Sequence, residues 1–409
     1  MSRSMWNDAR QIAFNAVSYC LPQEGVKKAL NDLHLNKEVY LVAAGKAAFS
    51  MAKAASEVLS IKDGVLISKY GHIEGKIGHV RCFEAGHPLV DENSIKASEE
   101  VIRMCSHLND EDIVVFLLSG GASALFESPL IPLEQLQELN TQLLKKGLDI
   151  VSVNTIRKKL SKVKGGRFAD LCKPAKVYSI ILSDVLSDRL DSIGSGPTAK
   201  DETDAFKALE LLDEKGIKIS DATRKIIAES VSGKADNCEN IIIGSVKILA
   251  KKAMEEAQKL GYHAILIDDA IDIEARKAGD LLFEEIMKHR NDERNTALIL
   301  AGETVVNVHG NGLGGRNQEL VFSQMKKISG MKDVCILSIG SDGTDGPTDA
   351  AGGYIDGSSY EKFIKAGGDH EKVMADNDSY HGLALCDSLI KTGPTGTNVN
   401  DLSIALIRQ

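Results

Sequence analysis

Short apolar runs alternate along the chain with longer helical patterns. Residues 39–44, 64–69, 113–118, 177–182, 241–244, 264–267, 297–301 and 334–339 are rich in Val, Ile and Leu and too short for helices, so each reads as a buried strand. Between many of them the apolar positions recur at helical spacing, most clearly over residues 94–108, 246–260 and 273–289. Strand and helix in alternation predict an α/β protein, here two α/β domains with largely parallel sheets. The polar stretch Ser232-Gly233-Lys234-Ala235-Asp236-Asn237 separates two helical segments from a new strand–helix series, which places the division at residues 1–235 and 236–409. Residues 1–17 carry Trp6, Asn7, Asp8 and Gln11 among apolar positions and predict a helix rather than a signal peptide.

Composition removes several classes of function. Charged residues are 26% and hydrophobic residues 43% of the 409, the profile of a globular protein. No apolar run approaches the ~20 residues of a membrane helix. A formal net charge of −9 lacks the footprint of a nucleic-acid or membrane-surface protein, so an anionic substrate needs a local basic cluster. Seven cysteines, odd in number, far apart and without a C-x-x-C pair, suggest reduced thiols in a cytoplasmic protein.

Candidate chemistry gathers where strand-like runs end. Gly310-Asn311-Gly312-Leu313-Gly314-Gly315-Arg316 lies between a strand-like run, residues 304–309, and a helix-like run starting at Asn317. Glycines at such a junction let backbone N–H groups and a helix N-terminus face an anion. The spacing also satisfies G-x-G-x-x-G, the dinucleotide fingerprint, whereas Arg316 adds a full positive charge that suits a mobile phosphoryl group better. An ordinary β–α turn remains the alternative. Gly45-Lys46 ends another strand and enters a helix, where a lysine is disfavoured by the dipole unless an anion binds or its side chain reaches water.

Ser119-Gly120-Gly121-Ala122-Ser123 follows the apolar run 114–118 with small residues, hydroxyls and no nucleophile elbow. Asp184 closes the run 177–182, and Ser195 lies in the Gly194-Ser195-Gly196-Pro197-Thr198 loop beyond it. Asp342 stands nearest the strand end in the acidic loop 341–349, and like Asp184 it is a candidate Mg²⁺ ligand or base. Arg157, Lys158, Lys159, Lys162, Lys164 and Arg167 make the most basic segment, either an anion-steering cluster or a solvated charged face. The ten histidines show no metal-ligand spacing, and His87 and His309 read as structural.

Taken together, Gly45-Lys46-Ala47-Ala48, Gly86-His87-Pro88, Leu118-Ser119-Gly120-Gly121, Asn154-Thr155-Ile156-Arg157, Ser183-Asp184-Val185, Gly314-Gly315-Arg316-Asn317-Gln318-Glu319, residues 342–352 and Thr392-Gly393-Pro394-Thr395-Gly396-Thr397-Asn398 resemble the class II glycerate kinases, the glycerate 2-kinase family with a C-terminal MOFRL domain. The resemblance covers almost the whole chain. It implies two α/β domains, the first Rossmann-like, with the site in the cleft between them. It also implies ATP- and Mg²⁺-dependent phosphorylation of D-glycerate, usually at the 2-hydroxyl. The family's essential Lys and Arg fall on Lys46 and Arg316.

Phosphoryl transfer needs positioning and charge neutralisation, which assigns Lys46 and Arg316 to the transition state and Asp342 or Asp184 to metal or base. Gly45, Ser119, Gly120, Gly121, Gly314 and Gly315 would then bind substrate or nucleotide, with Thr395, Thr397, Asn398 and Ser195 completing the cleft. The expected setting is a cytoplasmic homodimer without nucleic-acid or membrane partners. Two rivals stand beside this reading: an NAD(P)-dependent reductase of hydroxypyruvate or tartronate semialdehyde, and a non-catalytic sensor of a phosphorylated ligand.

Overall fold

Among residues 4–409, which the computed structural model describes, twelve strands form two six-stranded sheets. The first contains β1 (Val39–Ala44), β2 (Ile61–Lys69), β3 (Val80–Ala85), β4 (Ile113–Leu118), β5 (Lys176–Leu182) and β6 (Cys238–Gly244), in the order β3-β2-β1-β4-β5-β6. β1 pairs with β2 and β4, β2 with β3, and β4 with β5, all parallel. The chain leaves β1 toward β2 on one side and returns to β4 on the other, which is the Rossmann-like order. β1 and β4 are buried at five of six positions each, so they read as continuous apolar runs without alternation. Beneath them Phe168 packs on Phe116 and Phe126, with ring centroids 4.7 and 5.3 Å apart.

The second sheet contains β7 (His263–Ile271), β8 (Thr296–Gly302), β9 (Val334–Gly340), β10 (Gly352–Asp356), β11 (Leu389–Ile390) and β12 (Asp401–Ile407), in the order β11-β10-β9-β12-β8-β7. The helix Ala275–His289 connects β7 to β8, which pair parallel. The last strand, β12, enters between β8 and β9 and is antiparallel to both, and β10 is antiparallel to β9 and β11. Parallel pairing thus describes β1 to β5 of the first sheet, and the second sheet is mixed. β12 follows β11 through a loop without a crossover helix, so it can return in the opposite sense.

The residues up to Leu21 and Gly244–Gln409 form one compact unit, and Pro22–Ile243 the other. This differs from the expected division at 235/236 in two respects. β6 extends the first sheet, which moves the crossing to Gly244. The helix Met5–Tyr19 belongs with the second sheet, because Asp8 accepts hydrogen bonds from Tyr262 Oη and Arg408 Nη2, both at 2.8 Å, and Trp6 packs edge-on to Tyr354 at 4.7 Å. The first three residues of the helix expected over 1–17 lie outside the described residues. No described helix is long and apolar enough to cross a membrane.

Candidate active site

In the unit Pro22–Ile243, the loops after β1 and β4 are locked together at the point where the strand order reverses. Gly45 has φ +129°, and a side chain there would collide with Ser119 Oγ. Lys46 N donates to Gly120 O at 2.9 Å, Ser119 N to Ala44 O at 3.0 Å, and Ala47 N to Ser119 Oγ at 3.1 Å. Lys46 itself is exposed. It stands at the start of the helix Ala48–Ser56, whose cap residue Ala47 offers no side-chain acceptor, so the amino end of the helix favours an anion brought to the lysine. Asp184, at the end of β5, lies over Gly120: a Cβ on that glycine would sit 2.7 Å from Asp184 Cγ. Lys46, Gly120, Gly121 and Asp184 therefore converge at the carboxyl ends of β1, β4 and β5, where open α/β sheets bind ligands.

Two expected hydroxyls face inward. Ser119 is buried with its Oγ on the Ala47 amide, and buried Ser195 donates to Asn154 Oδ1 at 3.2 Å and lies 3.1 Å from Ser123 Oγ. Both tie neighbouring loops together.

Apart from exposed Lys162, the basic segment turns inward instead of forming a solvated face. Lys159 Nζ is buried against Asp201 Oδ2 at 2.8 Å, Thr203 O at 2.5 Å and Ser232 Oγ at 2.8 Å. Lys158 is held between Asp191 and Asp201, and Lys164 reaches Glu127 at 3.1 Å while donating to the carbonyls of Ser123 and Phe126. Arg167 binds the carbonyls of Lys158, Ser161 and Val231. Burial pulls Arg157, Arg167 and Lys164 below their ordinary ranges. Sequence shows the charges but not the acids that meet them, which lie tens of residues away.

In the other unit, the carboxyl ends of β8 and β9 and the first residue of β12 surround Arg316. Its Nε and Nη2 donate to Asp401 Oδ2 and Oδ1 at 2.5 and 3.0 Å, and Nη1 lies 3.1 Å from Glu303 Oε1. Asp401 drives the Arg316 guanidinium upward against the pull of its own burial. Burial pushes the Asp401 carboxyl up to about 7, against the opposing effect of Arg316. Asp342 Oδ1 accepts from Thr344 N and Oγ1 at 2.9 and 3.0 Å, and it lies over Gly340 together with Asp401.

The glycine loop differs from its expected form. Residues 304–309 are not a strand; only Val305 forms an isolated bridge, with Glu274. The amides from His309 to Leu313 are occupied by the chain itself. His309 N donates to Asn377 Oδ1, Asn311 N to Asp376 Oδ1, Gly312 N to Asp376 O and Leu313 N to Asp378 Oδ1, all within 2.8–2.9 Å. The amino end of the helix Arg316–Gln324 is filled by buried Asp345, which accepts from Asn317 N at 3.1 Å and Gln318 N at 2.8 Å. Burial raises the Asp345 carboxyl despite these bonds. Gly314 and Gly315 are glycines because a side chain would strike Ser379 and Asp345. Both positions allow close approach of the backbone to these residues, and the dinucleotide fingerprint lacks its strand.

Comparison with known proteins adds to this geometry. Residues 8–228 match the family DUF4147, described as a domain of unknown function, and residues 296–401 match the MOFRL family. The chain is 46% identical to a D-glycerate 2-kinase of Thermotoga maritima, over 98% of this chain and 97% of that one. This chain belongs to the glycerate 2-kinase family. A glycerate 2-kinase of Pyrococcus horikoshii is 40% identical over 92% of this chain and 89% of its own length. The crystal structure of a glycerate kinase from Thermotoga maritima superposes with a TM-score of 0.95 at 45% identity, covering 98% of this chain and 99% of that one.

Within this glycerate 2-kinase family member, three further expected residues bond to neighbouring segments of their own unit. Thr395 N donates to Asp342 O at 3.1 Å and its Oγ1 to Ser341 O at 2.5 Å. Thr397 Oγ1 donates to Cys20 O at 2.7 Å, and Asn398 Oδ1 accepts from Asn400 N at 3.2 Å. These bonds pin the 392–400 segment beside the Asp342 loop. Sequence reasoning missed Glu303, Asp345 and Asp401 as partners of Arg316 and its helix. The available signal for Asp401 was an acid opening the apolar run 402–407, and for Glu303 an acid directly after the run 297–301.

Proposed function

We propose that the protein transfers the terminal phosphoryl group of ATP to D-glycerate at the 2-hydroxyl, giving 2-phosphoglycerate and ADP. The observation that carries this reading is end-to-end similarity, 46% over 98% of the chain, to a protein named D-glycerate 2-kinase. The geometry supports it with one cation at the carboxyl end of each sheet, Lys46 after β1 and Arg316 beyond β8. Two cations suit a reaction whose barrier is lowered mainly by positioning and by neutralising phosphoryl charge.

In this reading the residues of both units serve one reaction. Lys46 and Arg316 neutralise the transferring group, and the amides of Gly45, Gly120 and Gly121 approach substrate or phosphate closely. Asp184 or Asp342 orients the attacking hydroxyl, and the other helps to hold Mg²⁺. The donor set fits this ion: no three His, Cys, Asp or Glu side chains form a cage among the described residues, and Mg²⁺ takes one or two carboxylates together with phosphate oxygens. When bound, the ion would offset the negative charge of the phosphate oxygens. Seven free cysteines and a net charge of −9 support a cytoplasmic protein without nucleic-acid partners, and a homodimer completes the proposal.

The deciding experiment is ³¹P NMR of the product formed from Mg-ATP and D-glycerate by the purified protein. A 2-phosphoglycerate resonance supports both transfer and position, whereas 3-phosphoglycerate retains the kinase and overturns the position. Intact ATP with oxidation of NADH by hydroxypyruvate would replace the kinase by the reductase. Ligand binding without turnover would favour the sensor.

A further inference from the structure

An anion that binds a chain of net charge −9 needs local positive charge, and the segment from Arg157 to Arg167 is internally bonded and largely paired. A different basic group meets at the carboxyl ends of β1, β2 and β3. Lys69 closes β2, and its carbonyl accepts from His72 N at 3.1 Å in a tight turn. That turn brings His72 Nδ1 within 3.3 Å of the Lys46 carbonyl. From the end of β3 the chain places His87 against the glycine loop. A Cβ on Gly121 would lie 3.0 Å from His87 Cδ2, 3.2 Å from its Nε2 and 3.3 Å from Lys46 Cγ. His87 and Lys46 thus flank the same point, which stays open because residue 121 has no side chain.

The acids beside this group are bonded elsewhere: Glu84 Oε1 accepts from Gly71 N at 2.8 Å, and Asp91, against Gly86, accepts from Tyr70 Oη and Ser94 N, both at 2.8 Å. Neither Lys46 nor Lys69 carries an ion pair among the described residues. The charged or titratable neighbours that act on His87 are Lys46, Lys69 and His72, and with burial they hold its imidazole below the ordinary histidine range. The carboxylate nearest the loop is Asp184, over Gly120 rather than Gly121. An oxyanion entering beside Gly121 would offset the repulsion among these groups and favour a charged ring at His87.

We propose that Lys46, Lys69, His72 and His87 form one oxyanion subsite, filled by the carboxylate of the hydroxy-acid substrate or by the triphosphate of the nucleotide, and that His87 takes a proton from solvent as the anion enters. The identity of these two anions rests on the phosphoryl-transfer reading; the subsite does not.

Isothermal titration calorimetry of the intact protein tests this at pH 7.5 in two buffers of different ionisation enthalpy, with D-glycerate, with the non-hydrolysable analogue AMP-PNP and with inorganic pyrophosphate. The expected result is proton uptake on binding, lost in His87→Gln. Affinity should fall about tenfold in Lys69→Ala and in His72→Gln, the share of one charge-assisted hydrogen bond. A loss confined to D-glycerate assigns the carboxylate, and one confined to AMP-PNP the triphosphate. Pyrophosphate binding that the variants weaken supports the subsite even where neither substrate binds, an outcome that sinks the kinase reading alone. Wild-type affinity for all three probes in folded His87→Gln and Lys69→Ala, or no pyrophosphate binding together with substrate binding that the variants leave unchanged, overturns the subsite.

Discussion

Asp401 grips Arg316 along one edge of its guanidinium, Nε to Oδ2 at 2.5 Å and Nη2 to Oδ1 at 3.0 Å. Two parallel bonds fix the plane of the guanidinium as well as its position, which a single lysine contact could not do. Asp401 is itself fixed, because it opens β12 between Gly302 of β8 and Gly340 of β9. Arg316→Ala is expected to lower turnover more than ~100-fold, and so is Lys46→Ala, each with the fold retained. Asp401→Asn keeps the shape but loses the charge, and a fall in kcat of about 10- to 100-fold is expected, partly restored in Asp401→Glu. Steady-state kinetics with circular dichroism check this. Wild-type kcat in a folded Asp401→Asn would show that Arg316 does not need its partner.

Gly120 gives a test of Asp184 that leaves the carboxylate in the sequence. A methyl group on residue 120 would displace the Asp184 side chain, since its Cγ lies 2.7 Å from the required Cβ position. Gly120→Ala should therefore reduce kcat by about tenfold or more while costing ~1–3 kcal/mol of stability, the usual range for overpacking. Unchanged kcat in a folded Gly120→Ala would mean that the present position of Asp184 is irrelevant to the reaction.

The Lys164–Glu127 pair should matter for stability and through it for the loop above. Both side chains are buried, 3.1 Å apart, and Lys164 also ties down the carbonyls of Ser123 and Phe126. Lys164→Met leaves the Glu127 carboxylate buried without its cation, at a cost of ~3–5 kcal/mol. Adding Glu127→Gln should recover part of that loss, because the uncompensated charge disappears. Urea denaturation reads both values. A Lys164→Met loss below ~1 kcal/mol would show that the pair contributes little.

His370 predicts an acid sensitivity of the unit that carries the second sheet. Its ring stacks on Phe322 with centroids 5.1 Å apart, and burial lowers its pKa despite the Phe322 backbone and Glu371. The unfolded chain then binds the proton more readily, so the stabilisation is present above the unfolded value near 6.5 and is lost as pH falls through the lower folded value. The unfolding midpoint of the wild type should drop more between pH 7.5 and 5.5 than that of His370→Phe. Equal drops in thermal melts at the two pH values would remove His370 as the cause.

Much of the first site is local, and local features are legible. Gly45-Lys46 and Ser119-Gly120-Gly121 each follow a strand directly, so an apolar run and its next few residues place them together at one sheet edge. The second site is different. The loop 310–315 has the spacing of a phosphate-binding turn, yet Asp376, Asn377 and Asp378 take its amides as far as Leu313 and Asp345 takes the helix end, all from segments far along the chain. Composition likewise marks Lys158, Lys159 and Lys164 as a charged face, although their acids lie at Asp191, Asp201 and Glu127.

The sequence by itself determined the alternation of strand and helix, the two α/β domains, the family, and the placement of Lys46 beside a strand end. Each of these follows from periodicity or from residues close in the chain. Tertiary structure alone decided that the helix Met5–Tyr19 joins the second sheet, that β12 enters antiparallel between β8 and β9, and that Asp401 rather than solvent meets Arg316. Those outcomes depend on which buried polar groups find partners across tens to hundreds of residues, and hydrophobic patterning does not encode that pairing.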